Sequence, residues 1–143
     1  RKINTVKSTL LLSCFIYGWL TTTVYAAPTQ LLIRNTPFYI ENAITQKEKQ
    51  NGLMYRAYLG PNQGMLFHFN PPKKASIWMK NTLIPLDIIW LDHTFNVVDI
   101  HPYAIPYSTT VLTPSKKASY ILEVNANTIT TYEITKGTHI RPF

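Results

Sequence analysis

The six residues Leu86-Asp87-Ile88-Ile89-Trp90-Leu91 constrain the fold more than any other stretch of the chain. Apolar at every position but Asp87, the run is too short for a typical helix and reads as a strand buried on both faces. Asp92-His93 then makes a turn, and Phe95 to Ile100 is the return strand of a hairpin. Upstream, Ser76 to Lys80 reads as a strand, separated from the buried one by Asn81-Thr82-Leu83-Ile84-Pro85. Met65 to Phe69 alternates, with Met65, Phe67 and Phe69 on one face, and Pro71-Pro72 closes it.

The remaining elements are short. Gln30 to Arg34 and Thr36 to Asn42 are extended, broken at Pro37. Thr45-Gln46-Lys47-Glu48 is a capping-box pattern that predicts a helix from Gln46 to about Tyr55, weakened by Gly52. Gly60 to Gly64 is a turn, Tyr103 to Lys117 a long loop, and Ser119 to Val124 a further strand. Ala126 to Ile134 reads as a short helix and Thr138 to Arg141 as a last strand. Ten prolines against five glycines agree with many short elements rather than long helices. The expected fold is α+β and β-dominated: a single domain with a strongly curled or partly closed, mostly antiparallel sheet and two short helices. No repeat or low-complexity stretch divides it. The domain proper is placed at 38–143, after an extended segment at 27–37.

Residues 1–26 read as a leader. Arg1, Lys2 and Lys7 precede the apolar run Leu10 to Leu20, and Thr21 to Ala27 offers small residues for cleavage after Ala26. A basic head, a short apolar centre and a small-residue site are the pattern of a secretory signal peptide. The apolar run is below the roughly 20 residues that a permanent span needs, so no stable membrane span is expected after cleavage. Leu11-Leu12-Ser13-Cys14 loosely resembles a lipoprotein box, but the apolar run continues past Cys14, which would leave a greasy new terminus. The expected location is exported, either periplasmic or secreted, in a bacterium. The single cysteine leaves with the leader, so neither a disulfide nor thiol chemistry is available. Without Arg1, Lys2 and Lys7, eleven basic residues face seven acidic ones, and the net charge falls from +7 to +4. The basic pairs Lys73-Lys74 and Lys116-Lys117 read as solvated loops, and no nucleic-acid partner is expected.

Chemistry concentrates in Trp78-Met79-Lys80-Asn81-Thr82-Leu83-Ile84-Pro85-Leu86-Asp87, with a cation, an amide and a carboxylate between two strands. Convergence of Lys80, Asn81 and Asp87 at one rim would suit binding or acid–base work. The plainer reading is a salt bridge pinning a proline turn, with Asn81 satisfying the local backbone. Arg56 could donate two hydrogen bonds to a carboxylate, whether of a ligand, Asp87 or Glu123. Alternation in Tyr120 to Val124 places Ile121 and Glu123 on one face, so Glu123 is expected to be partly buried and to need a partner. Met54, Met65 and Met79, with His68 and His101, raise a copper site, but the methionines are scattered among core residues and suit flexible core filling better, and the histidines show no ligand spacing. Trp78, Trp90, Tyr55, Tyr58 and Tyr103 could line an apolar or sugar-stacking groove, with core packing as the default for most of them. There is no nucleophile elbow, phosphate loop, zinc helix or dinucleotide fingerprint, and no cofactor or metal is expected.

Gly52-Leu53-Met54-Tyr55-Arg56, Gly64-Met65-Leu66-Phe67-His68-Phe69, Trp78 through Ile89, and Leu122-Glu123 resemble, in order and spacing, the Domain of Unknown Function 192 family. The resemblance runs from about Phe38 to Arg141 and implies a small, β-rich, often exported domain without an established activity. Two positions depart from the family pattern: Asn127 where a glycine is usual, and Thr138 where Gly-Asp is usual after Gly137. Asparagine tolerates the left-handed backbone that glycine supplies.

Three functions follow as expectations. The first is a non-enzymatic module binding a small molecule, a glycan or an envelope partner, its rim formed by Arg56, Lys80, Asn81 and Asp87, with Trp78 and Met79 as apolar wall. The second is a small hydrolase or lyase using Asp87 or Glu123 as base and Lys80 as charge stabiliser. In the third, an envelope-interaction protein, these charges only pin the fold.

Overall fold

In the computed structural model, which describes residues 26–143, strand β4 (Leu86–Leu91) is buried at all six positions. It needs neighbours on both edges and cover on both faces, and it has them. The other strands are β1 (Gln30–Ile33), β2 (Thr36–Ala43), β3 (Gln63–Lys73), β5 (Val97–Ala104), β6 (Ala118–Asn125) and β7 (Arg141–Pro142). They form one seven-stranded sheet in the order β5-β4-β6-β3-β2-β1-β7, curled into a half-barrel. All neighbours are antiparallel except β2 and β3, which run parallel. A parallel pair needs a crossover, and the segment carrying helix α1 (Gln46–Asn51) supplies it. The second helix, α2 (Thr128–Thr131), follows β6.

Alternation along β4 and β6 feeds two cores. Ile89, Leu91, Leu122 and Val124 join Leu31, Ile33 and Phe38 on one face. Leu86, Ile88, Trp90 and Ile121 join Met65, Phe67 and Met79 on the other. At about 25 cal/mol per Å² of apolar surface removed from water, two such cores are the main force holding a disulfide-free chain of this length. From Gln30 onward the segment 27–37 is extended and woven into the sheet: β1 pairs with β2 and with β7, and Leu31 and Ile33 are fully buried.

Several elements differ from the sequence reading. Helix α1 has its complete capping box, Thr45 with Glu48, but stops at Asn51 because Gly52 takes φ +46° and leaves the helix. Strand β3 does not close at Pro71-Pro72. Its pairing with β2 ends at Phe67, so the prolines lie where that edge carries no ladder, and the β6 register shifts between His68 and Lys73. Ser76 to Lys80 is not a strand: it holds a single bridge, Ile77 to Leu112. The return strand begins later, at Val97, and runs on to Ala104. The leader reading and Cys14 lie outside the described residues.

Candidate functional site

Glu123 sits in the middle of the sheet. On β6 it pairs with Met65 of β3 on one side and Ile88 of β4 on the other, so its cross-strand neighbours are both apolar. The strands approach closely here: a side chain at Gly64 would come within 2.8 Å of the Glu123 carbonyl oxygen. Glu123 is only 5% exposed, and its carboxyl makes neither an ion pair nor a hydrogen bond among the described residues. Burial alone pushes its pKa up to about 8, so the group is largely uncharged at neutral pH. No fully enclosed polar side-chain atom lacks a partner among these residues. The carboxyl of Glu123 is therefore not sealed in the core; it borders a cavity of about 460 Å³. That volume lies in the range of small-molecule sites.

Three elements enclose the cavity. Helix α1 and its exit contribute Gln46, Lys49, Gln50 and Leu53; β3 contributes Phe67, Phe69 and Lys73; the loop after β3 contributes Ala75, Ile77 and Trp78. The loop is fixed by the Trp90 indole, which donates to the Ala75 carbonyl at 2.9 Å, and by the Ile77 bridge to Leu112. The Lys49 ammonium donates to the His68 carbonyl at 2.6 Å and stands 4.9 Å from the centre of the Phe69 ring. Lys73 stands 5.0 Å from the same ring. Burial and then the Lys49 charge lower the pKa of His68 from its ordinary value.

Of the candidate site residues read from the sequence, Trp78 and Glu123 line this cavity, as does Met54 from the methionine set. The cluster of two cations and two carboxylates does not assemble. Arg56 grips Glu41, with nitrogen–oxygen distances of 2.5 and 2.7 Å, because the parallel β2–β3 pairing brings its turn back beside β2. Asp87, 1% exposed, accepts from the backbone N–H of Tyr103 at 2.8 Å and of Ile129 at 2.7 Å. It faces away from Glu123, because β4 pairs Ile88, not Asp87, with that residue. No Lys80–Asp87 salt bridge forms; the Lys80 ammonium lies 5.1 Å from the Trp78 ring centre. Met79 is buried in the core. Asn81, at φ +56°, clasps Tyr55, at φ +62°: its side chain donates to the Tyr55 hydroxyl, and its carbonyl accepts from the Tyr55 N–H. Three of the four proposed rim residues, Arg56, Asn81 and Asp87, thus hold turns and ends of the fold.

The cavity residues missed from sequence are mainly Lys49, Phe69, Lys73 and the buried Thr82. Lys73, read as part of a solvated loop, is the last residue of β3 and stands over Phe69. The alternation of Met65, Phe67 and Phe69 was the available signal, since it marks the face of β3 that the cavity uses. Tyr58 and Tyr103 line a separate hollow of about 490 Å³ with Pro61, Ile84 and Pro85. Asn127 adopts φ +75°, the left-handed conformation expected where the family uses glycine. Thr138 makes a local turn, its hydroxyl accepting from the Thr135 N–H at 3.0 Å.

Comparison with known proteins gives the relationship. The chain is similar to a protein of unknown function from Novosphingobium aromaticivorans DSM 12444, with 35% identity over 80% of this chain and 83% of that one and a TM-score of 0.73. It is also similar to a protein provisionally assigned as a transcription regulator from Sinorhizobium meliloti 1021, with 29% identity over 79% of this chain and 90% of that one and a TM-score of 0.74. No curated protein matches it. The model of the DUF192 family, described as an uncharacterized ACR, matches residues 29–142. With nearly the whole described chain matched, this protein belongs to the DUF192 family.

Proposed function

We propose that this domain binds a small molecule in the cavity at Glu123, which supplies a hydrogen bond from an uncharged carboxyl. One observation carries the reading: a buried carboxyl without a protein partner faces an open cavity, in a core that satisfies its other buried polar groups. A fold gains nothing from leaving such a group unpaired, and a ligand atom would complete it. The reading includes export to the periplasm or beyond, supported by the basic and apolar leader at 1–26. Glycans and envelope proteins remain the alternative partners at the Tyr58–Tyr103 hollow.

The test is a thermal-shift screen of the protein against metal ions, sugars, nucleotides, amino acids, organic acids and cell-wall fragments. A ligand at a hundred times its dissociation constant stabilises a fold by about 2.7 kcal/mol. The shift should vanish in Glu123→Leu and persist in Lys80→Ala. Silence across the panel, or a shift that survives Glu123→Leu, contradicts the proposal.

A second reading has one observation in its favour. A carboxyl titrating at about 8 is matched to proton transfer near neutral pH. A hydrolase or lyase would then use Glu123 as its acid or base. Asp87 is unsuited to that role, because backbone N–H groups hold both its oxygens. Turnover abolished by Glu123→Gln without loss of ligand affinity would select this reading over simple binding.

A further inference from the structure

We infer that the cavity takes a small organic anion, its charged head held by Lys49 and Lys73, its body against Trp78 and Ile77, and an oxygen acceptor at Glu123. The inference rests on the reading of the cavity as a small-molecule site and adds the class of ligand.

Two ammonium groups from different elements, α1 and the end of β3, converge on the single ring of Phe69 at 4.9 and 5.0 Å. Like charges brought together cost free energy unless an anion joins them. No acidic side chain does so among the described residues, where the ion pairs are Arg34–Glu133, Arg56–Glu41 and Lys136–Asp99. The charged groups lining the cavity are Lys49, Lys73 and Glu123. With Glu123 held neutral by burial, the lining carries two positive charges and no negative one. Lys49 spends one N–H on the His68 carbonyl, and an ammonium carries three donors, so both cations keep N–H groups for a carboxylate.

The polarity of the site is thus ordered. Along β3, Glu123 lies opposite Met65, Phe67 follows, and the cations stand at Phe69; Leu53, Ile77 and Trp78 add apolar lining, and Gln46, Gln50, Asn51 and Ser76 add polar groups. A neutral sugar could use the amide and hydroxyl lining but would leave both cations without a counter-charge. An amine would meet the two cations directly. An aryl or alkyl carboxylate bearing a second oxygen, or a short acyl acid, uses all three parts.

The experiment is a titration of the full chain, followed by calorimetry and by NMR shifts of cavity residues. The probes are benzoate, phenylacetate, octanoate and monomethyl terephthalate, each beside its primary amide, together with benzylamine. Each acid should bind about tenfold tighter than its amide, as charge-assisted contacts from half-buried Lys49 and exposed Lys73 predict. Lys49→Ala and Lys73→Ala should each weaken acid binding far more than amide binding and so erase most of that preference, and Lys73→Arg should retain it. Amides binding as tightly as acids, benzylamine binding tighter, or a preference indifferent to both lysines would overturn the inference. So would the absence of binding by every acid. If amides bind and Glu123→Leu removes them, the cavity reading stands and the anion class alone falls. If no probe binds and the broad screen is silent, both fall.

Discussion

Asp87 and Glu123 are buried carboxyl groups on adjacent strands of one sheet, and the fold treats them in opposite ways. Asp87, near the start of β4, faces two backbone N–H groups, and both its oxygens are taken up by Tyr103 and Ile129. It fastens β5 and α2 to β4. Glu123 lies one pairing away between Met65 and Ile88, meets no donor among the described residues, and opens on a cavity. The lesson concerns how to recognise a site. Burial of a charge-bearing side chain is common to both, so burial alone identifies neither. What separates them is satisfaction: a carboxylate whose acceptors are filled by backbone is a fastener, and one left unfilled beside open space is available to something else.

The largest effect should come from breaking the fastener. Asp87→Leu leaves two N–H groups without acceptors, and the cost should be about 3 kcal/mol or more, read as a fall in the denaturation midpoint. Asp87→Asn keeps one acceptor and should lose roughly half as much. If Asp87→Leu is neutral, the contrast between the two carboxyls collapses.

The opposite change should follow at Glu123. Its folded pKa, about 8, exceeds the ordinary value of 4.5. Folding must therefore keep or take up a proton that the unfolded chain has released. The stability this group contributes is complete below pH 4.5 and is lost as pH rises through about 8. Glu123→Gln should match the native protein near pH 4.5 and exceed it at pH 8 by as much as a few kcal/mol, since each pKa unit corresponds to about 1.4 kcal/mol. Parallel pH profiles of denaturation for the two proteins check this, and coincident profiles at both ends would contradict it.

Smaller effects sharpen the boundary of the site. Arg56→Ala breaks an exposed ion pair with Glu41 and should cost under about 1 kcal/mol, with ligand affinity unchanged. Lys80→Ala removes a contact with the Trp78 ring worth about 0.5–1 kcal/mol at an exposed position, again without touching affinity. A large loss of binding in either variant would return those residues to the site.

The legible and illegible parts of this chain divide on physical grounds. Strand β4 could be read because its composition excludes a wet face, and α1 because Thr45 and Glu48 form a local, reciprocal cap. The burial of Glu123 could be read from its alternation with Ile121. The partners of Asp87 could not, since backbone N–H groups leave no trace in residue identity. Arg56 found Glu41 because a parallel crossover decides which carboxylate is near, and that is a property of topology. Pro71-Pro72 misled because a proline ends a strand only where its missing N–H is needed, and β3 has no β2 partner there. Lys73 is solvated, as its composition suggests, but it ends β3 rather than lying in a loop, and that places it beside Phe69 at the cavity.

The most direct test is the titration of the Glu123 carboxyl carbon by NMR in the native protein. A midpoint near 8 is expected, moving further upward when a ligand oxygen accepts the proton's hydrogen bond. A midpoint near the ordinary 4.5 would mean that Glu123 is ionised and already partnered, and the distinction between the two carboxyls would not hold.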